Sequence, residues 1–266
     1  MFTIHGLTKQ YQTRTALHPT DLAFKAGQFS VLLGPSGAGK STLLHCLNQL
    51  TVPTGGTVEV EDLGIVDTAA KRHALRCMTG FVFQQHQLIL RQTALANVLN
   101  GRLGCTPLWR SLLPWSRKDV TEALGCLERV GLLDFALIRA GRLSGGQQQR
   151  VGIARALAQN PRIILADEPV ASLDPTKSEE ILDLLLNICR EDGICTVVSL
   201  HQVELARKFA DRVIALKDGR VVFDAPPCEL SESALDEIYS SGVDVSSRPK
   251  EETGEDVLAV LEAKAA

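Results

Sequence analysis

The run Gly34-Pro35-Ser36-Gly37-Ala38-Gly39-Lys40-Ser41 fits the pattern GxxxxGK[ST] without a mismatch. Glycines at this spacing let the backbone curl until successive N–H groups point inward at an anion. A helix beginning near Lys40 and Thr42 adds the positive end of its dipole. Lys40 supplies a point charge for β- and γ-phosphates, and the Ser41 hydroxyl is a hard oxygen ligand for Mg²⁺. Taken alone, this loop specifies a nucleoside triphosphate and no more.

Two further segments add chemistry. Arg162-Ile-Ile-Leu-Ala-Asp167-Glu168 is an apolar run ending in two carboxylates. A strand that carries acids to the carboxyl edge of a parallel sheet delivers them where phosphates bind. Asp167 is placed to support Mg²⁺, and the longer Glu168 to polarise an attacking water as general base. In Leu143-Ser-Gly-Gly-Gln-Gln-Gln-Arg150, Ser144 is positioned as a helix N-cap, with Gly145, Gly146 and Gln147 opening the helix. The bare glycine amides make a second anion site. One chain cannot easily fold both anion sites onto one phosphate chain, whereas two copies arranged head to tail can.

These residues need elements to hold them. Phe2–His5 and Thr57–Glu61 alternate apolar and polar residues, as half-buried strands do. Phe29–Leu33 reads as a buried strand feeding the phosphate loop, and Ser41–Leu50 as the helix behind it. Residues 88 to 160 read as mainly helical, with helices over Asp119–Val130, closed by Gly131, and Gly146–Gln159. Three strand–helix alternations follow, with strands at Arg162–Ala166, Thr196–Leu200 and Arg212–Leu216. The expected fold class is α/β, a mainly parallel sheet covered on both faces. Residues 1–240 are expected to form one cassette, and 241–266, rich in Ser, Glu and Lys before a short amphipathic stretch, a weakly ordered tail.

The Leu-Ser-Gly-Gly-Gln segment, about twenty residues before a strand ending in Asp-Glu, resembles the ABC ATPases. That resemblance implies a RecA-like P-loop core, an N-terminal antiparallel β subdomain and a helical subdomain carrying the signature. It also implies roles for further residues. Tyr11 sits where the family stacks an aromatic on adenine. Gln84, in Phe81-Val-Phe-Gln, is similar to the residue that meets Mg²⁺ and the membrane partner; Gln85 is its neighbour and competitor. Ser172-Leu-Asp174 resembles the loop at the dimer seam, and His201 the switch histidine that contacts the γ-phosphate. The resemblance covers roughly residues 1–235, with the motifs in order. It implies ATP and Mg²⁺ as cofactors, a second copy as partner, integral membrane permease subunits, and indirectly a solute-binding protein.

Composition narrows the classes. Lys and Arg total 28 against 31 Asp and Glu, a formal charge of −3. That balance offers no basic face for nucleic acid. The longest uncharged stretches, such as 41–58, contain His, Asn, Gln, Pro and paired Gly, so no transmembrane helix is expected. The N-terminus lacks a basic segment followed by an apolar one. The expected location is the cytoplasmic face of the membrane, peripherally bound. Seven cysteines are scattered without a CxxC pair, which predicts reduced, mostly structural thiols.

Finer resemblance bears on the cargo. Asn97–Gly104, Thr106–Leu112 and Ser199-Leu-His-Gln-Val203 are similar to importers of phosphonates and related reduced phosphorus anions. Leu108, Trp109 and Trp115 form an apolar-aromatic patch, read either as core packing or as a docking surface for a membrane subunit. The competing functions are the motor of another ABC transporter (amino acid, methionine or lipoprotein-export type) and a non-transport ABC ATPase. Repair members carry long coiled-coil insertions and translation members two cassettes, and this chain has neither. A P-loop kinase or GTPase leaves the Leu143–Gln147 segment and His201 unexplained.

Overall fold

The computed structural model describes residues 2–85, 87–106 and 114–240. The expected tail from Ser241, and Leu108, Trp109, Arg110, Ser111 and Leu112, lie outside the described residues.

The chain opens with a β-hairpin, β1 (Phe2–Tyr11) and β2 (Arg14–Phe24), before the buried strand β3 (Phe29–Leu33). Helix α1 (Lys40–Leu47) follows the phosphate loop, then β4 (Gly55–Val60) and β5 (Gly64–Ile65). β1, β2, β4 and β5 pair antiparallel in the order β2-β1-β4-β5. Next come α2 (Ala69–Cys77) and β6 (Thr79–Val82). The helical region contains α3 (Ala94–Asn100), α4 (Arg117–Arg129) and α5 (Gly145–Leu157). Then β7 (Ile163–Asp167), α6 (Pro175–Asp192), β8 (Cys195–Ser199), α7 (Val203–Phe209), β9 (Arg212–Lys217), β10 (Arg220–Ala225) and α8 (Glu232–Tyr239) complete the described chain.

The second sheet has the order β10-β9-β3-β8-β7-β6, parallel throughout except for β10. Every residue of β3, β6, β7 and β8 is buried, as expected of a parallel sheet covered on both faces. Alternate residues serve two cores. Leu32, Leu165, Val197 and Ile214 pack with α1 and the inner face of the antiparallel sheet. Val31, Ile164, Val198 and Val213 pack with α5, α6 and α7 on the other side. α1 is thus clamped between two sheets, which fixes the loop preceding it.

One expected strand–helix alternation differs. β9 is followed by an antiparallel partner, because Lys217-Asp218-Gly219 turns tightly: φ is 48° at Asp218 and 73° at Gly219. Asp-Gly with both residues left-handed is a hairpin turn whose twist matches the strands. Trp115 packs partly buried against the larger core, which settles that residue on the core-packing side. Cys46, Cys189 and Cys195 are buried, Cys77 and Cys126 partly so, and Cys105 and Cys228 exposed, all as free thiols. Burial pushes the Cys195 thiol up to about 12.

α4 shows how locally this region is specified. Ser116 caps it, its hydroxyl accepting from the Asp119 amide while the Asp119 carboxylate accepts from the Ser116 amide. Gly125 sits in the helix interior, where an added Cβ meets nothing within 4 Å. Gly125→Ala should therefore raise the unfolding free energy by about 0.5–1 kcal/mol. Denaturant unfolding checks it; a loss of stability would show that a packing demand had been missed.

Candidate functional site

The sheet order explains how the chemically active residues meet. The phosphate loop leaves the end of β3, the carboxylates sit at the end of β7, and β8 lies between them. Asp167 and Ser199 are register partners across β7 and β8.

The loop itself is built on close approach. Gly34 has φ 140°, and a Cβ there would stand 2.1 Å from the Leu216 carbonyl oxygen of β9. Gly39 caps α1 with φ 104°, and its Cβ would stand 2.7 Å from the Ala16 carbonyl oxygen of β2. Both positions exclude side chains for steric and torsional reasons together. The first-turn N–H groups of Lys40, Ser41 and Thr42 lack intrahelical acceptors, as at any helix start. Ser36 and Gly37 are exposed at the crest, with Pro35 and Ala38 lower on its flanks.

Lys40 is buried, 4% exposed. Its ammonium donates to the carbonyl oxygens of Gly34 (2.7 Å) and Pro35 (3.1 Å) and lies 3.5 Å from His201 Nδ1. Burial lowers its pKa, and the negative fields of Glu168 and then Asp167 oppose that shift. The Ser41 hydroxyl donates to Asp167 Oδ1 at 3.0 Å. Glu168 is held at both carboxylate oxygens: Oε1 is 2.5 Å from His201 Nε2, and Oε2 accepts from Gln84 Nε2 at 3.0 Å. Lys40, Ser41, Gln84, Asp167, Glu168 and His201 thus form one cluster. Gln84, rather than the neighbouring Gln85, is the residue whose amide reaches Glu168.

Other candidates lie apart from this cluster. Ser144 caps α5 in a reciprocal box with Gln147, its amide donating to Gln147 Oε1 at 2.9 Å. Gly145 and Gly146 pack near Leu173 and Lys177, at the start of α6, and not on the chain's own phosphate loop. Asp174 caps α6, and the ion pair with Lys177 (2.7 Å) holds its carboxyl below the usual range. Ser144, Gly145 and Asp174 are all exposed. Tyr11 is exposed at the β1–β2 turn, with Lys9 Nζ 4.9 Å from its ring centre. That turn adjoins the phosphate loop through Arg14, whose guanidinium lies 3.8 Å from where a Gly37 Cβ would stand.

A family model described as ABC transporter matches residues 17–171. The phosphite import ATP-binding protein PxtA of Stutzerimonas stutzeri is 60% identical over 226 residues, 85% of this chain and 82% of that one. The chain belongs to the ABC transporter family. Within this ABC family it is similar also to the phosphonates import ATP-binding protein PhnC 2 of Cupriavidus metallidurans, 54% identical over 251 residues, 93% of this chain and 89% of that one. Among solved structures it resembles the dimeric post-hydrolysis state of the ATP-binding cassette MJ0796 bound to ADP and Pi. That match has a TM-score of 0.74 and 40% identity, and covers 85% of this chain and 99% of that one. The ADP conformation of MJ1267, an ATP-binding cassette of an ABC transporter, matches with TM-score 0.79 and 26% identity, over 91% and 98%. This chain is accordingly an ATP-hydrolysing subunit of an ABC transporter, with the P-loop core, antiparallel β subdomain and helical region that such cassettes have.

Sequence reasoning missed Ser199 as part of the site, although its hydroxyl joins the Asp167 carboxylate at the end of β7 to the backbone amide of Glu168 just beyond it. It also missed the exposed apolar residues Ile89, Leu90, Phe135, Leu137 and Ile138. Backbone bonds from Ala94 to Ile138, and from Gly141 to Leu90, draw their two segments together.

Gly34→Ala should abolish nucleotide binding, because the new methyl collides with backbone that cannot retreat. Fluorescent ATP-analogue titration should show at least about a hundredfold loss of affinity, equivalent to about 3 kcal/mol. Binding within threefold of wild type would show that the loop tolerates a side chain there.

Proposed function

We propose that the chain drives uptake of phosphonates, phosphite or related reduced phosphorus anions through separate membrane subunits. The observation that carries the substrate class is the 54–60% identity to phosphonate and phosphite import ATP-binding proteins across most of the chain. The amides from Gly34 to Thr42, including Pro35, Ser36, Gly37, Ala38 and Gly39, cradle the phosphates, and Lys40 balances their charge. Ser41, Asp167 and the amide oxygen of Gln84 hold Mg²⁺. Hard oxygen donors with a single carboxylate suit an ion that also takes waters and substrate phosphates. Among the described residues no group of three or more His, Cys, Asp or Glu forms a metal cage, and this chemistry needs none. Mg²⁺, when bound, neutralises charge on the β- and γ-phosphates. Glu168 orients the water, and His201 steadies the departing phosphoryl. Tyr11 stacks on adenine.

The exposed Ser144, Gly145 and Asp174, with the half-buried Gly146 and Gln147, serve a second copy, each chain closing the other's nucleotide. The membrane subunit docks on the exposed patch of Ile89, Leu90, Phe135, Leu137 and Ile138. This patch continues the segment that carries Gln84, so nucleotide chemistry and the docked partner share one stretch of backbone. Asn97, 1% exposed, fixes that stretch: its side chain accepts from the Ile89 amide (2.8 Å) and donates to the Ile89 carbonyl (3.1 Å). No helix among the described residues is long and apolar enough to cross a membrane, which suits a subunit bound peripherally at the cytoplasmic face.

Cells lacking the gene, complemented by wild type or Lys40→Ala, test the cargo. Labelled alkylphosphonate or phosphite uptake should return only with wild type, and the better-restored anion identifies the preferred substrate. Unchanged uptake of both anions in the deletion strain would overturn the substrate assignment. Purified Glu168→Gln should bind ATP yet turn over at least about a hundredfold more slowly, and accumulate dimers in size-exclusion chromatography. Turnover equal to wild type would remove Glu168 from the role of base.

A further inference from the structure

β8 runs Cys195-Thr-Val-Val-Ser199, and its last residue is fully buried at 0% exposure. Its hydroxyl donates to Asp167 Oδ1 at 2.8 Å and accepts from the Glu168 amide at 2.8 Å. The direction of both bonds is forced. The amide can only donate and an ionised carboxylate can only accept, so the hydroxyl proton points at Asp167. Asp167 Oδ1 also takes the Ser41 hydroxyl, so one oxygen atom ties the helix after the phosphate loop to β8. Glu168 itself has φ 46°, a left-handed backbone that a glutamate adopts only under constraint. The Ser199 oxygen anchors the amide of that peptide, and the side chain then extends between Gln84 and His201.

We propose that Ser199 is a positioning residue for ATP hydrolysis. Its hydroxyl locks the Asp167 carboxylate and the Glu168 peptide into one rigid unit. The magnesium-facing and water-facing carboxylates then keep a fixed separation. The proposal rests on the ATPase activity of the chain. It goes further by assigning the alignment of the base to a buried hydroxyl on the neighbouring strand. Without that hydroxyl the Glu168 amide is left without its acceptor, and Asp167 keeps only the Ser41 hydroxyl on Oδ1. Glu168 would then be free to leave the left-handed conformation that aims it.

The test compares Ser199→Ala and Ser199→Thr with wild type, and with Glu168→Gln as the control for the base. Ser199→Ala removes one atom and leaves strand packing intact, and unfolding midpoints verify this. Hydrogen exchange at the Glu168 amide, measured without nucleotide, should accelerate about tenfold in Ser199→Ala. Its kcat should fall about tenfold, with KM for ATP within about twofold, and the Mg²⁺ concentration for half-maximal rate should rise severalfold. Ser199→Thr, which keeps the hydroxyl, should recover most of the turnover and the slow exchange. A merely structural serine would lower the unfolding midpoint and leave the Mg²⁺ dependence and the kcat-to-KM pattern alone. Ser199→Ala with wild-type kcat and wild-type exchange at Glu168, beside a Glu168→Gln control that has lost turnover, overturns the proposal and leaves the ATPase site standing. A Glu168→Gln control that keeps turnover would instead displace the base on which the proposal depends.

Discussion

The site is organised around a lysine ammonium taken out of water. Lys40 is 4% exposed, and an ammonium in that position loses hydration that must be replaced. The Gly34 and Pro35 carbonyls replace part of it directly, and Glu168 and Asp167 contribute negative field from across the cleft. Each replacement constrains the fold. The carbonyls can turn inward only if the loop takes left-handed and extended turns, which Gly34 and Gly39 permit. The carboxylates can reach the loop only if their strand ends at the same edge of the sheet.

Strand order meets the second demand. With β8 between β3 and β7, the residues at the end of β8 stand between Lys40 and the carboxylates. His201 spans that gap, 3.5 Å from the ammonium at one ring nitrogen and 2.5 Å from Glu168 at the other. One level deeper, Ser199 binds the Asp167 carboxylate and the Glu168 amide together. The rigidity of this arrangement comes from strands buried on both faces. A shift of β7 against β8 would have to move Ile163, Ile164 and Leu165 through two packed cores at once.

Most of this was legible in the sequence where local pattern and chemistry coincide. The phosphate loop, the acidic strand end and the signature are contiguous, and each carries its physical reason in its own residues. The strands β3, β7 and β8 were legible because buried parallel strands read as near-continuous apolar runs, broken here only by small hydroxyl residues such as Ser30 and Thr196 and by Asp167 at the end of β7. What was not legible depends on register. Ser199 is thirty-two positions from Asp167, and only strand pairing makes them neighbours. The exposed apolar residues around Leu137 could not be singled out in the sequence, because hydrophobicity alone does not say which side of a helical region faces out. The β9–β10 hairpin was written in Asp218-Gly219, but an expected alternation of strands and helices overrode that turn signal.

Charge arithmetic supports the proposed pairing of two copies. Lys40 is the cation within the cluster, and it faces two carboxylates, Asp167 and Glu168. A nucleoside triphosphate adds several more negative charges, which the metal offsets only in part. Backbone amides at the start of α1 supply partial positive charge at one end of the phosphate chain. The start of α5 has the same character, with bare glycines and a capped first turn, yet it packs beside α6 and faces solvent. On the proposed reading, a second copy brings that helix start to the open side of the phosphates. Closure is then driven by the charge the single chain leaves unbalanced. Hydrolysis and release of phosphate remove part of that charge, and the attraction holding the two copies together weakens in step with the chemistry.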